Sequence, residues 1–413
     1  MASRTSGRWV ADRSTGEPRY SRSMSERADV VVIGGGLFGT SIAYNLCLRG
    51  AGRVVLLERA ALGGGDSGRT FGMVRRHYSN AVTALLAMRG SHTIMHWAEE
   101  VGIGDSGYVE TGYLLPVPEA LVDPCRDNVA RLQALGLDTA FVDPSEIAQI
   151  EPLLALDGIV GGAYEPDGGF ADAHKMVLGW FAGGVEHGLV PRLGCAATAL
   201  IAEGERVRGV RTPDGDIACD RVVLATGAWA RDLLMPAGVD VPIALKRIQV
   251  AVLRQPAGAP RPNVVCSDAV TNVVVRPDRG ALFCAVTYFG DEPLDAADDC
   301  DHDASPGYEQ AIRRALAERY PTLAGAAWQR AWAGPYDYSP DWNPIIGEAP
   351  GLEGLYLALA WSGHGFKLSP AVGEVVAAEV LGAEPAIDVT ALRPSRFSEG
   401  RLLRLAYGPG ARA

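Results

Sequence analysis

Between Asp29 and Glu58 the chain reads DVVVIGGGLFGTSIAYNLCLRGAGRVVLLE. Four β-branched residues, Val30 to Ile33, predict a strand buried on both faces. Glycines follow as G-x-G-x-x-G at Gly34, Gly36 and Gly39. Ile42, Ala43, Leu46 and Cys47 then recur at helical spacing, and Gly50 is placed to end that helix. A second apolar run, Val54 to Leu57, closes on Glu58. Each part has a mechanical role in holding a dinucleotide. Gly34 makes the tight turn, Gly36 admits a pyrophosphate to the backbone, and Gly39 lets helix meet strand. The helix N-terminus offers unpaired N–H groups to the phosphates, and Glu58 can accept from a ribose hydroxyl. The unit predicts an ADP-bearing cofactor in a doubly wound α/β fold and leaves NAD and FAD both open.

Outward from this unit the βαβ alternation stops. Leu62–Asn80, LGGGDSGRTFGMVRRHYSN, has neither helical nor strand period, and it packs Arg69, Arg75, Arg76 and His77 closely. Such a cluster suits diphosphate or carboxylate ligands. Leu193–Trp229 reads as a meander turning at Glu203-Gly204 and Asp214-Gly215, then a strand, Val222–Ala225, that ends in Thr226-Gly227-Ala228-Trp229. Bulk-free backbone at the carboxyl end of a strand is where doubly wound sheets hold ligands. Near the C-terminus Leu355–Ala360 predicts a strand leading into SGHGFKLSPAVG, with Ser369 capping a helix that starts at Pro370.

Composition bounds the partners. The 413 residues exceed one ordinary domain, and a formal charge of −11 argues against nucleic acid or an anionic membrane as partner. Seven scattered cysteines without a C-x-x-C pair fit reduced thiols in a cytoplasm, and no apolar run is long enough to span a membrane. The polar, arginine-rich residues 1–27 predict a disordered tail. Asp291–Asp303, DEPLDAADDCDHD, mimics the start of a calcium loop, but Ala304 stands where glycine is required and Gln310 where the closing glutamate belongs, so a solvated loop and no metal are expected.

In order, the chain carries the dinucleotide motif with Glu58, a G-x-S-x-R loop, a V-x-G-V hairpin into ATGAWA, then PD-x-x-P-I-I-G and GHGFK-x-x-P-x-x-G. This series resembles the FAD-dependent amino-acid oxidoreductases of the D-amino-acid oxidase superfamily. The likeness is nearest to the sarcosine oxidase and sarcosine oxidase β-subunit branch, over roughly residues 28–395. The resemblance implies a discontinuous Rossmann-like FAD-binding domain (28–107, 166–236 and 329–400) with an inserted mixed-sheet substrate domain (108–165 and 237–328) and a C-terminal tail, 401–413. It implies FAD contacts from Gly34, Gly36, Leu37, Phe38, Gly39, Glu58, Arg59, Ser67, Arg69, Thr70, Ala197, Thr226, Gly227, Trp229, Gly363, His364, Gly365, Phe366 and Lys367.

By the same resemblance Lys367 and Arg75 hold a substrate carboxylate, Arg75 following Met73-Val74 with Arg76 beside it, while Tyr288 and Tyr336 border the substrate. The implied reaction is oxidation of the C–N bond of a secondary or D-amino acid. Oxidation of a 2-hydroxy acid and a non-catalytic flavoprotein subunit stay open, as does a homo-oligomer or partner subunit. Relatives tether flavin through a cysteine before the last glycine-rich loop, where Ala333–Pro344 has none, so FAD is expected to be non-covalent. Sarcosine oxidases activate oxygen beside a lysine on a substrate-domain strand. The corresponding run here, ALFCAVTYF, lacks one, and slow reoxidation in air is the expectation unless another cation reaches that face.

Overall fold

The computed structural model describes residues 7–11, 18–22, 26–287 and 292–407. One sheet has six strands in the order 190–193, 54–58, 30–33, 222–224, 355–359 and 345–348, parallel except for the last pair. The period-two rule sorts its side chains. Val30, Val32, Val54 and Leu56 face a core shared with the helices Leu37–Leu48, Ala81–Met95, Ala173–Glu186 and Gly365–Val380. Val31, Ile33, Val55 and Leu57 face a second core on the opposite side, shared with Val207, Val210 and Ile217 of the predicted meander. Two helices meet closely here because Gly373 has no side chain. A Cβ there would overlap Ser41 Oγ and stand 2.9 Å from Asn45 Nδ2.

The larger sheet has nine strands. Its path runs 293–294, 244–254, 281–286, 273–278, 265–267, 113–117, 161–165 and 140–142, and 327–338 pairs with 244–254. All neighbours are antiparallel except 265–267 with 113–117. The helix Tyr308–Arg319 covers one face through Ile312, Ala315 and Leu316. The α/β fold class and the mixed second sheet follow the sequence reading.

Several boundaries differ from it. Residues 329–338, read as the start of the last FAD-binding segment, lie in the strand Ala327–Tyr338, which pairs within the larger sheet. Within the expected disordered tail, the backbone of Gly7–Ala11 pairs antiparallel with Pro18–Arg22, and Glu26–Arg27 extends the meander. Residues 401–407 are docked: Leu403 N–H donates to Asp341, and Ala406 N–H donates to Ser79 Oγ.

The last long helix starts at Gly365, not at Pro370. Pro370 lacks the N–H that would reach the Phe366 carbonyl, and Ser369 Oγ donates to that oxygen instead at 2.7 Å. Ser369 therefore repairs a helix interior where sequence reading made it a cap.

Arg319, at the end of the helix over the larger sheet, and Asp268, just after the strand 265–267, form a fully buried ion pair at 2.7 Å, and Arg319 also donates to the Ala155 and Asp157 carbonyls. Removing one partner strands a buried charge. Arg319→Ala should destabilise the protein by about 3–5 kcal/mol, read from its denaturation midpoint. A loss below about 1 kcal/mol would mean that water or another cation replaces the guanidinium.

Candidate active site

The carboxyl ends of the six-stranded sheet and the inner face of the larger sheet enclose a cavity of about 580 Å³. The glycines of the first motif form its floor. Gly34 has φ +112°, and a Cβ on it would overlap the Ala225 carbonyl oxygen. Gly39 is covered, since a Cβ there would overlap the Gly34 carbonyl oxygen, so this residue shapes the turn without lining the cavity. A Cβ on Gly36 would reach within 2.8 Å of Ser67 Oγ, the atom that accepts the Leu37 N–H at 3.0 Å. Glu58 accepts from the Gly35 N–H at 2.7 Å and the Ala60 N–H at 2.8 Å. It holds the loop in shape as well as facing the cavity.

Leu37, Phe38, Arg59, Ser67, Arg69, Thr70, Ala197, Thr226, Gly227, Trp229, Gly363, Gly365, Phe366 and Tyr336 also line the cavity. Tyr288 lies outside the described residues. His364 does not face the cavity. It is 1% exposed and packs edge-on against Tyr78 at 5.1 Å. Burial, then the charges of Lys367 and Arg75, push its pKa far down, so the imidazole is neutral.

Arg75 and Lys367 come together, but behind the cavity wall. Both are 2% exposed, and both cations lie over the Tyr78 ring, at 4.4 Å and 5.5 Å. Burial and then the Arg75 charge pull Lys367 well below the usual lysine range. Burial works against Arg75 too, but Tyr78, Tyr113 and Glu165 outweigh it and its pKa rises. The neighbouring arginine is separately engaged: Arg76 pairs with Glu165 at 3.0 Å and with Asp167.

Sequence reading missed Asp66, Asp298, Asp337 and Trp361, all lining the cavity. Asp337 accepts the Ala360 N–H at 2.7 Å and thereby fixes the left-handed turn at Ala360 and Ser362. Burial raises its carboxyl to about 6, against the lowering effect of the Ala360 and Trp361 N–H groups. Trp361 stacks on Phe38 with ring centroids 3.3 Å apart. Its signal was its place directly before the glycine-rich loop. The acidic run 291–303 does more than meet solvent. Asp298 accepts from Trp229 Nε1 at 2.6 Å and pairs with Arg59, whose guanidinium stacks on the Trp229 ring. No metal-ligating cluster occurs among the described residues.

The strand 281–286 carries no charge, yet a cation does reach its face from the next strand. Arg276 pairs in register with Phe283, and its guanidinium lies 3.8 Å from the centre of that ring. It also donates to the carbonyl of Phe71, a cavity-lining residue. Burial pulls Arg276 down to about 10, opposed by Asp278, its ion-pair partner at 2.8 Å.

Bulk-free backbone at a helix N-terminus, an acid at the end of the second strand, and unpartnered oxygens on Asp66 and Thr226 suit a bound dinucleotide. Fold and cradle thus define a dinucleotide-binding oxidoreductase. The chain belongs to the FAD dependent oxidoreductase (DAO) family, whose sequence profile matches residues 29–379.

It is similar to the mitochondrial dimethylglycine dehydrogenase of Rattus norvegicus, 26% identical over 393 residues, covering 91% of this chain and 45% of that protein. Glycine oxidase of Pseudomonas putida is 29% identical and covers 90% of this chain and 99% of its own. The crystal structure of L-proline dehydrogenase from P. horikoshii superposes with a TM-score of 0.84 at 26% identity, over 92% of this chain and all of that one. The chain spans about half the length of the dehydrogenase relatives it matches.

A side chain on Gly36 would fill the space between the helix N-terminus and Ser67. Gly36→Val should weaken FAD binding more than about a hundredfold, roughly 3 kcal/mol. The check is flavin absorbance retained after gel filtration of protein that still unfolds cooperatively.

Proposed function

We propose that the chain uses FAD to oxidise the C–N bond of a small amine that carries a carboxylate, a secondary or D-amino acid. The carrying observation is the meeting of Arg75 and Lys367 on the ring of Tyr78, each cation buried, one directly after the short strand Met73–Val74 and the other from the first turn of the last long helix. Glu165, the carboxylate that acts on both, is already hydrogen-bonded to Arg76. A substrate carboxylate would supply counter-charge, and the fixed field of two buried cations would orient the carbon beside it. Tyr336 lines the cavity and is close enough to influence the Arg75 charge, so it borders both regions. The relatives named above act, by name, on dimethylglycine, glycine and proline. In each, nitrogen and carboxylate share one carbon.

Bound FAD supplies the two-electron acceptor. The substrate loses a hydride from carbon and a proton from nitrogen, giving an imine that water hydrolyses to a carbonyl compound and an amine. Arg75 and Lys367 act on the carboxylate by their charge from behind the wall, and the apolar walls formed by Phe71, Met73 and Val274 exclude water from the carbon. We also assign non-covalent FAD. No cysteine is among the described lining residues, and the ring nitrogens of the lining residue His302 face the Ala333 carbonyl at 3.1 Å and Arg69 at 3.5 Å. Seven buried free cysteines support a reducing compartment, and no helix among the described residues is long and apolar enough to cross a membrane.

An anaerobic screen of amino and hydroxy acids for bleaching of the flavin band tests the assignment. Bleaching by hydroxy acids alone would overturn it, and no bleaching by any would favour a non-catalytic subunit. Lys367→Ala should weaken a carboxylate substrate by about 2–4 kcal/mol in kcat/KM and leave its decarboxylated analogue little changed. Equal losses on both would remove the lysine from the carboxylate.

Arg276 changes the expectation for oxygen, because a buried cation now stands on the face that the strand itself leaves neutral. Arg276→Leu should slow stopped-flow reoxidation in air by about tenfold or more, with the anaerobic reduction rate held. Equal slowing of both half-reactions would mean that Arg276 only holds the Phe71 loop.

A further inference from the structure

Asp66 opens the short helical turn Asp66–Arg69, one residue before the serine that caps the dinucleotide helix. Asp66 lines the cavity, and its Oδ1 is withdrawn from water with no hydrogen-bond partner. Two glycines clear the space around it. A Cβ on Gly334 would stand 3.4 Å from Oδ1, and one on Gly227 would stand 3.9 Å from Oδ2.

The charged groups around Asp66 are committed elsewhere or repel it. Arg69 donates to the Gly64 carbonyl and contacts His302, and Arg59 pairs with Asp298 over Trp229. Asp337 approaches from the strand Ala327–Tyr338, and the buried Cys300 thiol is also near. His174, on the helix beneath, faces Gly63 and Gly68. Burial and Asp337 raise the Asp66 carboxyl well above its usual value, outweighing Arg69 and Arg59. A charged Asp66 would also stand next to the helix N-terminus that receives a pyrophosphate dianion.

We propose that Asp66 binds FAD as a neutral carboxylic acid, donating its proton to a cofactor oxygen, so that alkaline pH releases the cofactor. The inference rests on FAD occupying this cavity. The sign follows from linkage. The bound state requires the proton, so affinity is full while the apoprotein keeps Asp66 protonated and falls once pH rises past that point.

Apoprotein titrated with FAD between about pH 5 and pH 9, followed by flavin fluorescence, should show Kd flat and then rising up to about tenfold per pH unit. Asp66→Asn, which donates at every pH, should give a flat profile. A flat wild-type profile overturns the proposal. A slope that survives in Asp66→Asn also overturns it and moves the proton to another group, Asp337 first. Should the variant fail to fold, wild-type calorimetry in two buffers of different ionisation enthalpy reads the same quantity on the alkaline limb. Proton uptake on binding supports the proposal, and none overturns it. Failure of FAD to bind at any pH would instead fault the placement of the cofactor.

Discussion

The contact between Gly39 and the carbonyl oxygen of Gly34 is the constraint on which the molecule turns. It lets the helix Leu37–Leu48 begin directly at the carboxyl end of the central strand, with the backbone at Gly34 held at positive φ against Ala225. Any side chain at either position would push helix and sheet apart. The mouth of the cavity and the N–H groups that face it would be lost together. Four segments far apart in sequence then converge on that mouth: Ser67, the turn after Leu224, the strand Ala327–Tyr338 and the loop at Gly363.

The ionisable groups buried in this protein divide into two kinds. Arg319 with Asp268, Arg396 with Asp341, and Arg76 with Glu165 are paired at hydrogen-bond distance and hold elements together. Around the cavity the pattern reverses. Asp66 has an unpartnered oxygen, Asp337 is raised by burial, and Lys367 is driven down by burial and by Arg75. A fold gains nothing by leaving an oxygen such as Asp66 Oδ1 without a partner, whereas a cavity that receives a cofactor can supply one.

The strand Ala327–Tyr338 links the two sheets. Its pairing with Ala244–Arg254 places it in the larger sheet, yet its end delivers Tyr336 and Asp337 to the loop that precedes the last helix. Asp337 holds Ala360 by its carboxylate and Ser362 by its carbonyl, so the geometry of the glycine-rich loop depends on a residue of the opposite sheet. Walls of the cavity on both sheets are thereby set by one run of backbone.

The dinucleotide unit was legible in the sequence because its signals are local. Strand, glycine spacing, helix and terminal acid all lie within thirty residues, and each follows from backbone sterics alone. Family resemblance then carried the distant loops, including Thr226, Gly227 and Gly363. What stayed hidden depends on contacts across long separations. That Ser369 serves a helix interior follows only once Phe366 is already helical, and Asp298 joins the site only through Trp229 and Arg59. Arg276 reaches Phe283 by cross-strand register, which residue spacing does not encode. The resemblance named Arg75 and Lys367 as a pair, but their burial behind the wall, and the unpartnered Asp66 in front of it, belong to tertiary structure. Desolvation is a property of the packed surroundings, and no residue carries it alone.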